Sequence, residues 1–317
     1  MQLLNKTQLE NLGSLFASSV AASFSKVQNI AETFNSTFYF ESRISDDDQV
    51  DFLARVERLN AIELKEFLIS NDLQSSHFWL IDIIDSWTQT THPFRNKLES
   101  IWLEWDNIAS LDEGRFGISF TFHPKIRNKP ETIKRWLLAN IPNTMLQIES
   151  LNRYASQALP AELIHFTLML QRENVENKFY THVQLGKLEL FYEFIHWTPL
   201  NLTNERDQSL ANVLGTTSLF FDVDLSDVRR KIPHRTSVNF IMSEGMVEHL
   251  GRSTQLPSHF LKVYSLWNCN NEVQPRQKQL SLVQTRWLEL KWVYKHGEFT
   301  EIKAYWGFHK PSVKLFT

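Results

Sequence analysis

Two lysines in this sequence are each followed, two residues on, by a tyrosine: Lys178-Phe179-Tyr180 and Lys303-Ala304-Tyr305. Residues two apart in an extended strand project from one face. Each pair therefore presents an ammonium and a phenol side by side, a combination suited to anionic oxygen. Lys291 and Arg43 fall at matching positions of other alternating segments. Glu104 sits in Trp102-Leu103-Glu104-Trp105-Asp106, where alternation places it beside Trp102. A carboxylate there can accept a proton, and an indole can shield a neighbouring cation with its π face. Tyr39 supplies a further ring. Glu41 and Asp222 compete with Glu104 for the role of base, and a salt bridge from Glu104 to a lysine is the structural alternative.

Other chemistries lack their residues. The eleven histidines are scattered, with no HExxH motif and no pair at ligand spacing beside a carboxylate. P-loop, GxGxxG and GxSxG motifs are missing, which disfavours nucleotide binding and hydrolase chemistry. Asp222 and Asp224 share a strand face and can share a cation, although a solvated or salt-bridged pair is the commoner outcome. The basic run Arg229-Arg230-Lys231 reads as exposed loop charge, or as a dock for an acidic peptide.

The elements that position these residues alternate between two periodicities. Leu9, Leu12, Phe16, Val20, Phe24, Val27, Ile30 and Phe34 recur at helical spacing and predict a helix over 7–34. Five hairpins with period-two alternation follow. The first pairs 37–44 with 50–56 across the acidic turn Asp46–Asp48; the second pairs 101–106 with 116–123. The third pairs 163–171 with 178–185, the fourth 218–224 with 236–242, and the last 286–294 with 301–308. Helices are expected between them near 61–71, 77–88, 131–141, 144–157, 187–196, 204–213, 244–250, 258–267 and 276–283. The hairpins begin about 60 residues apart, the mark of a repeated supersecondary unit.

One face of each strand is strongly apolar. Ile101, Leu103 and Trp105 oppose Trp102, Glu104 and Asp106; Ile164, Phe166, Leu168 and Leu170 oppose His165, Thr167, Met169 and Gln171. The apolar face suits a helical layer. The other face collects Arg43, Lys178, Lys291, Lys303, their tyrosines and several carboxylates. Ten strands covered by helices on one side leave two edges exposed, and closing the sheet removes both. The expected fold is thus α/β: one domain over 1–317, a ten-stranded antiparallel barrel of five hairpin repeats inside a ring of α-helices, with a polar lumen. The competing arrangement is a half-open sheet whose polar face is solvated.

This pattern, with its inward Lys-x-Tyr pairs, resembles the ABBA-type (PT-barrel) prenyltransferases. The resemblance implies transfer of an isoprenyl group from an allylic diphosphate to an aromatic small molecule or a peptide side chain. It implies that Arg43, Lys178, Tyr180, Lys291, Lys303 and Tyr305 hold the diphosphate, that Tyr39 and Trp102 shield the cation, and that Glu104 is the base. In a metal-using branch, an aspartate on the second strand helps to bind magnesium, and Asp51 is similarly placed. Two readings from other classes compete. One is a non-catalytic barrel that binds a peptide or hydrophobic ligand. The other is a terpene-cyclase-like enzyme using Asp47-Asp48-Gln49-Val50-Asp51, which matches DDxxD; here that motif runs through a turn into a strand, where a solvated turn is the simpler reading.

Composition narrows the partners. A net charge of −3 provides no basic field for nucleic acid. Rings make up 13% of the residues, so the interior must be rich in them. Cys269 is the only cysteine, which rules out an internal disulfide and suits a reducing compartment. The stretch 12–20 is broken by Ser14, Ser18 and Ser19, unlike a signal-peptide core, and no apolar run is long enough to span a membrane. The expected location is cytoplasmic.

Overall fold

A computed structural model of the protein describes residues 23–34, 37–43, 46–70, 77–108, 111, 116–156, 161–170, 177–195, 218–224, 235–242, 284–296 and 298–309. Helix α1 spans Phe24–Phe34, the C-terminal part of the predicted 7–34 segment. Strands β1 (Phe38–Arg43) and β2 (Asp46–Glu57) follow, then α2 (Ala61–Ser70) and α3 (Phe78–Thr88). Strands β3 (Leu98–Trp105) and β4 (Gly117–Phe122) lead to α4 (Pro130–Asn140) and α5 (Ile148–Ser156). Strands β5 (Glu162–Leu168) and β6 (Asn177–Gln184) precede α6 (Leu188–Ile195). The remaining strands are β7 (Ser218–Asp224), β8 (Arg235–Met242), β9 (Gln284–Lys295) and β10 (Glu298–His309). The helices expected near 204–213, 244–250, 258–267 and 276–283 lie outside the described residues.

All strand pairings are antiparallel and run in sequence order from β1 to β10. β10 then pairs with β1, from Phe38↔Phe308 to Arg43↔Lys303, so the sheet closes on itself. The alternation of the sequence explains the layers. Outward residues such as Phe52, Phe120, Phe166 and Phe221 are fully buried beneath the helices. The helices answer with rings of their own: Trp136 of α4 meets Phe120 at 5.4 Å, Tyr154 of α5 meets Phe179 at 4.0 Å, and Phe191 of α6 meets Phe221 at 4.8 Å. The apolar core is therefore the shell between sheet and helices, which leaves the inner face free for polar groups.

Three departures from simple alternation matter. Asp46–Asp48, read from sequence as a turn, begins β2 instead, with Asp46 opposite Arg43 after a register shift at Ser42/Arg43. On a strand, the DDxxD motif lacks the helical turn that brings its carboxylates onto one face. A second shift, between Leu98 and Ser100, inserts Glu99 into β3. A third, between Leu163 and His165, inserts Ile164 into β5. Such bulges re-aim side chains, and Ile164, expected against the helices, lines the lumen.

Candidate active site

The inner face encloses a cavity of about 340 Å³, to which all ten strands contribute a residue. One wall is a belt of rings. Tyr39 lies 5.1 Å from Trp102, Trp102 lies 6.1 Å from His165, and His165 lies 5.2 Å from Tyr180. Tyr180 stacks on Phe220 at 5.5 Å. Tyr39 on β1, Trp102 on β3, His165 on β5, Tyr180 on β6 and Phe220 on β7 all fall on inward alternations, which is why the belt is continuous.

Beside the rings runs a chain of alternating charge. Lys291 Nζ lies 2.5 Å from Asp222 Oδ2 and 3.8 Å from Glu41 Oε2, and it donates to Tyr305 Oη at 2.9 Å. Ser237 donates to Asp222 at 3.2 Å. Lys303 donates to Glu41 and, at 3.1 Å, to Asp51. Burial alone would raise Glu41, but Lys303 and Lys291 outweigh it and hold this carboxyl far below its usual range. Asp51 moves the other way: burial pushes it well up, and the charges of Glu41 and Asp106 add to the push against Lys303. The two carboxyls around Lys303 are thus pushed in opposite directions. Asp222 is held low because Lys291 and Lys178 overcome its burial, and burial likewise fails to stop Asp222 and Glu41 from raising Lys291.

The sequence-predicted residues divide accordingly. Tyr39, Trp102, Glu104, Lys178, Tyr180, Lys291 and Tyr305 all line the cavity. Lys303, only 4% exposed, is buried with Glu41 and Asp51 and is not part of the lining. Arg43, at the end of β1, pairs with Glu301 at 3.2 Å and does not line the cavity. Burial raises the pKa of Glu104 despite the opposing charge of Lys178. That shift makes it a stronger base once ionised.

Asp51 does not fit magnesium. An ammonium already bonds its Oδ2, and that charge repels a dication. Among the described residues, no three His, Cys, Asp or Glu side chains converge on one point.

Four charged cavity residues were not singled out from sequence. Glu289 accepts from Tyr180 Oη at 3.1 Å, and burial, opposed by Lys291, lifts its carboxyl to about 7. Its signal was present, since it alternates with Lys291. Arg55 alternates with Asp51 and was equally legible. Arg127 comes from the turn after β4, where its Nε donates to Phe122 O at 2.9 Å, and Glu99 reaches the cavity through its bulge. Neither follows from periodicity. Glu99 binds both arginines, Arg55 at 3.2 Å and Arg127 at 2.6 Å.

A closed ten-stranded antiparallel barrel, helices outside and charged lumen inside, is the fold of the ABBA-type prenyltransferases, and solved structures of that class superimpose on this chain. No protein-family model and no curated protein matches the sequence. The chain is similar to 5-dimethylallyltryptophan synthase from Streptomyces coelicolor, with 11% identity, a TM-score of 0.55 and 94% of each chain covered. It is also similar to the prenyltransferase PriB in its ternary complex with L-tryptophan and dimethylallyl thiolodiphosphate, with 11% identity, a TM-score of 0.59, and 95% of this chain and 94% of that chain covered. A third is 6-dimethylallyltryptophan synthase from Micromonospora olivasterospora, with 8% identity, a TM-score of 0.52, and 85% and 80% covered. At these identities the likeness establishes the fold. Among the described residues, no helix is long and apolar enough to cross a membrane.

Proposed function

We propose that this protein is a prenyltransferase that moves an isoprenyl group from an allylic diphosphate to an aromatic acceptor. The observation that carries the reading is the placement of Lys178 and Lys291 in one cavity with a continuous wall of rings. In the reaction, the bond between allylic carbon and diphosphate oxygen breaks, and the electron pair leaves with the diphosphate. Lys178 and Lys291, with the phenols Tyr180 and Tyr305, stabilise that developing charge. Lys303 is occupied by Glu41 and Asp51 and takes no part in holding the diphosphate. The carbocation remains against Tyr39 and Trp102, whose faces attract it and exclude water. The acceptor ring attacks, a new bond to the allylic carbon forms, and Glu104 takes the proton released.

The solved tryptophan prenyltransferases make L-tryptophan the first acceptor to assay. The test has two arms. Calorimetry with a non-hydrolysable allylic thiodiphosphate should show binding that Lys291→Ala abolishes. Incubation with dimethylallyl diphosphate and an aromatic acceptor should yield prenylated product and pyrophosphate. Failure to bind the donor analogue would reject the proposal.

One observation favours a second reading. Lys291 is already neutralised by Asp222 and Glu41, so an incoming diphosphate must displace buried carboxylates. A non-catalytic barrel for a hydrophobic ligand does not face that cost. Binding of an uncharged aromatic ligand, with no response to pyrophosphate, selects it.

A further inference from the structure

The reaction proposed above leaves His165 unused, yet its neighbours fix its chemistry. Trp102 Nε1 donates to Thr121 Oγ1 at 3.0 Å, and the same oxygen lies 2.8 Å from His165 Nδ1. An indole N–H can only donate, so the hydroxyl accepts there and must place its own proton elsewhere. Among the described residues, His165 Nδ1 is the other atom within bonding distance. Ser100, opposite Thr121 in the ladder, makes no such bond. A Thr121 hydroxyl that donates to Nδ1 satisfies both contacts and places the ring proton on Nε2. Burial keeps the imidazole neutral, with its pKa down at about 3; Asp222 opposes this, while Arg127 and Arg55 reinforce it. A ring so held is a poor base at neutral pH. It is a fixed hydrogen-bond donor on the wall of the cavity.

Its surroundings indicate what it meets. Arg55 and Arg127 line the same cavity, aligned by Glu99. The Arg55 guanidinium lies 5.9 Å from the centre of the Trp102 ring, and its Nε is buried without a hydrogen-bond partner. Two guanidinium groups and a neutral N–H offer only donors, and an oxyanion accepts from all three.

We infer that His165, fixed as its Nε2–H tautomer by the Trp102–Thr121 relay, is a specificity-determining donor that reads, together with Arg55 and Arg127, an oxyanion of a bound reactant. The inference rests on the proposed reaction only in taking this cavity as the place where reactants bind. The oxyanion belongs either to the diphosphate of the donor or to a carboxylate on the aromatic acceptor.

The first measurement is independent of activity. Long-range ¹H–¹⁵N correlation spectra of the full chain, with a His165→Gln sample to assign the ring, should show the proton on Nε2. A proton on Nδ1, or on both nitrogens at pH 7, overturns the inference. Thr121→Val should release the ring into a mixture of tautomers, and Thr121→Ser should restore the single form. Calorimetry on wild type and His165→Phe, with pyrophosphate and separately with L-tryptophan, then locates the oxyanion. Loss of one charge-assisted hydrogen bond weakens one ligand by roughly tenfold or more and leaves the other within about twofold. A loss for pyrophosphate assigns the contact to the donor; a loss for L-tryptophan assigns it to the acceptor carboxylate. No loss for either, or no binding of either by wild type, overturns it. Normal prenyl transfer with unaltered affinities in His165→Phe defeats this inference alone. Absence of transfer, with the tautomer and the pyrophosphate contact intact, defeats only the proposed reaction.

Discussion

Replacing Lys303 by methionine separates the two lysines that β9 and β10 send into the lumen. Lys303 is buried, lies outside the cavity lining and bonds Glu41 and Asp51. Methionine keeps most of the side-chain volume and removes the charge. Glu41 then retains one ammonium, Lys291, at 3.8 Å from its Oε2. At an effective dielectric near 20, that contact preserves about 4 kcal/mol of attraction. Breaking a buried ion pair costs about 3–5 kcal/mol, and the surviving contact puts Lys303→Met at the lower end, about 3 kcal/mol. Asp51 loses its 3.1 Å contact with the ammonium as well. With a denaturant slope of about 3 kcal/mol per molar, suited to a chain of this length, the urea midpoint falls by about 1 M. Pyrophosphate affinity, measured by calorimetry on the folded variant, stays within about threefold of wild type. An unchanged midpoint would refute the buried-cluster argument. A loss of affinity of about tenfold or more at unchanged stability would make Lys303 a ligand contact instead.

Glu104→Gln should lower turnover by roughly a hundredfold or more while leaving binding of the donor analogue intact; unchanged turnover removes Glu104 from the mechanism. Glu289 titrates higher in the folded protein, at about 7, than its ordinary value of 4.5. The folded state therefore binds more protons than the unfolded one between those values, and stability falls as pH rises through that window. Glu289→Gln keeps the acceptor for Tyr180 and removes the titration, so the variant should gain on wild type by up to about 3 kcal/mol between pH 4.5 and 8; parallel stability curves would show that Glu289 does not titrate there. Trp105 is 1% exposed and stacks on Phe52 at 5.4 Å, so Trp105→Ala should cost about 3–5 kcal/mol in urea unfolding, and a loss below about 1 kcal/mol would contradict the packing described.

Much of this architecture was legible because strand alternation is a strict period of two. Ser218–Asp224 reads from sequence with the bounds that the structure gives. The inward placement of Tyr39, Trp102, Lys178 and Tyr180 follows from counting alone. What escaped is what interrupts the count. Glu99 and Ile164 enter the cavity through bulges, and a single inserted residue reverses the face of everything read across it. Arg127 lies beyond the last residue of β4, where no period applies. The partition between Lys291 and Lys303 was equally hidden. Both alternate inward and lie opposite each other in the ladder, yet Lys303 is taken by Glu41 and Asp51 while Lys291 meets Asp222 and Tyr305, pairings between distant strands that local sequence does not encode. The upward shift of Glu104 depends on burial outweighing Lys178, a balance that needs coordinates.

The bond that joins the first strand to the last also orders events in time. Lys303 and Glu41 are 262 residues apart in the chain, and Lys303 and Asp51 are 252 apart. Contacts of such separation carry the largest loop-closure penalty and form late. During synthesis the ribosome must deliver β10 before β1 finds its second neighbour, so most of the sheet waits with open edges, the condition under which nascent chains aggregate. Helices α2 to α6 can settle on their strands in the meantime, since they pack against elements nearby in sequence. The last step is thus a closure in which an ammonium meets two carboxyls that have been in water until then. Acidity and salt, which weaken that meeting, should slow the final phase of refolding more than they slow the growth of the helical shell.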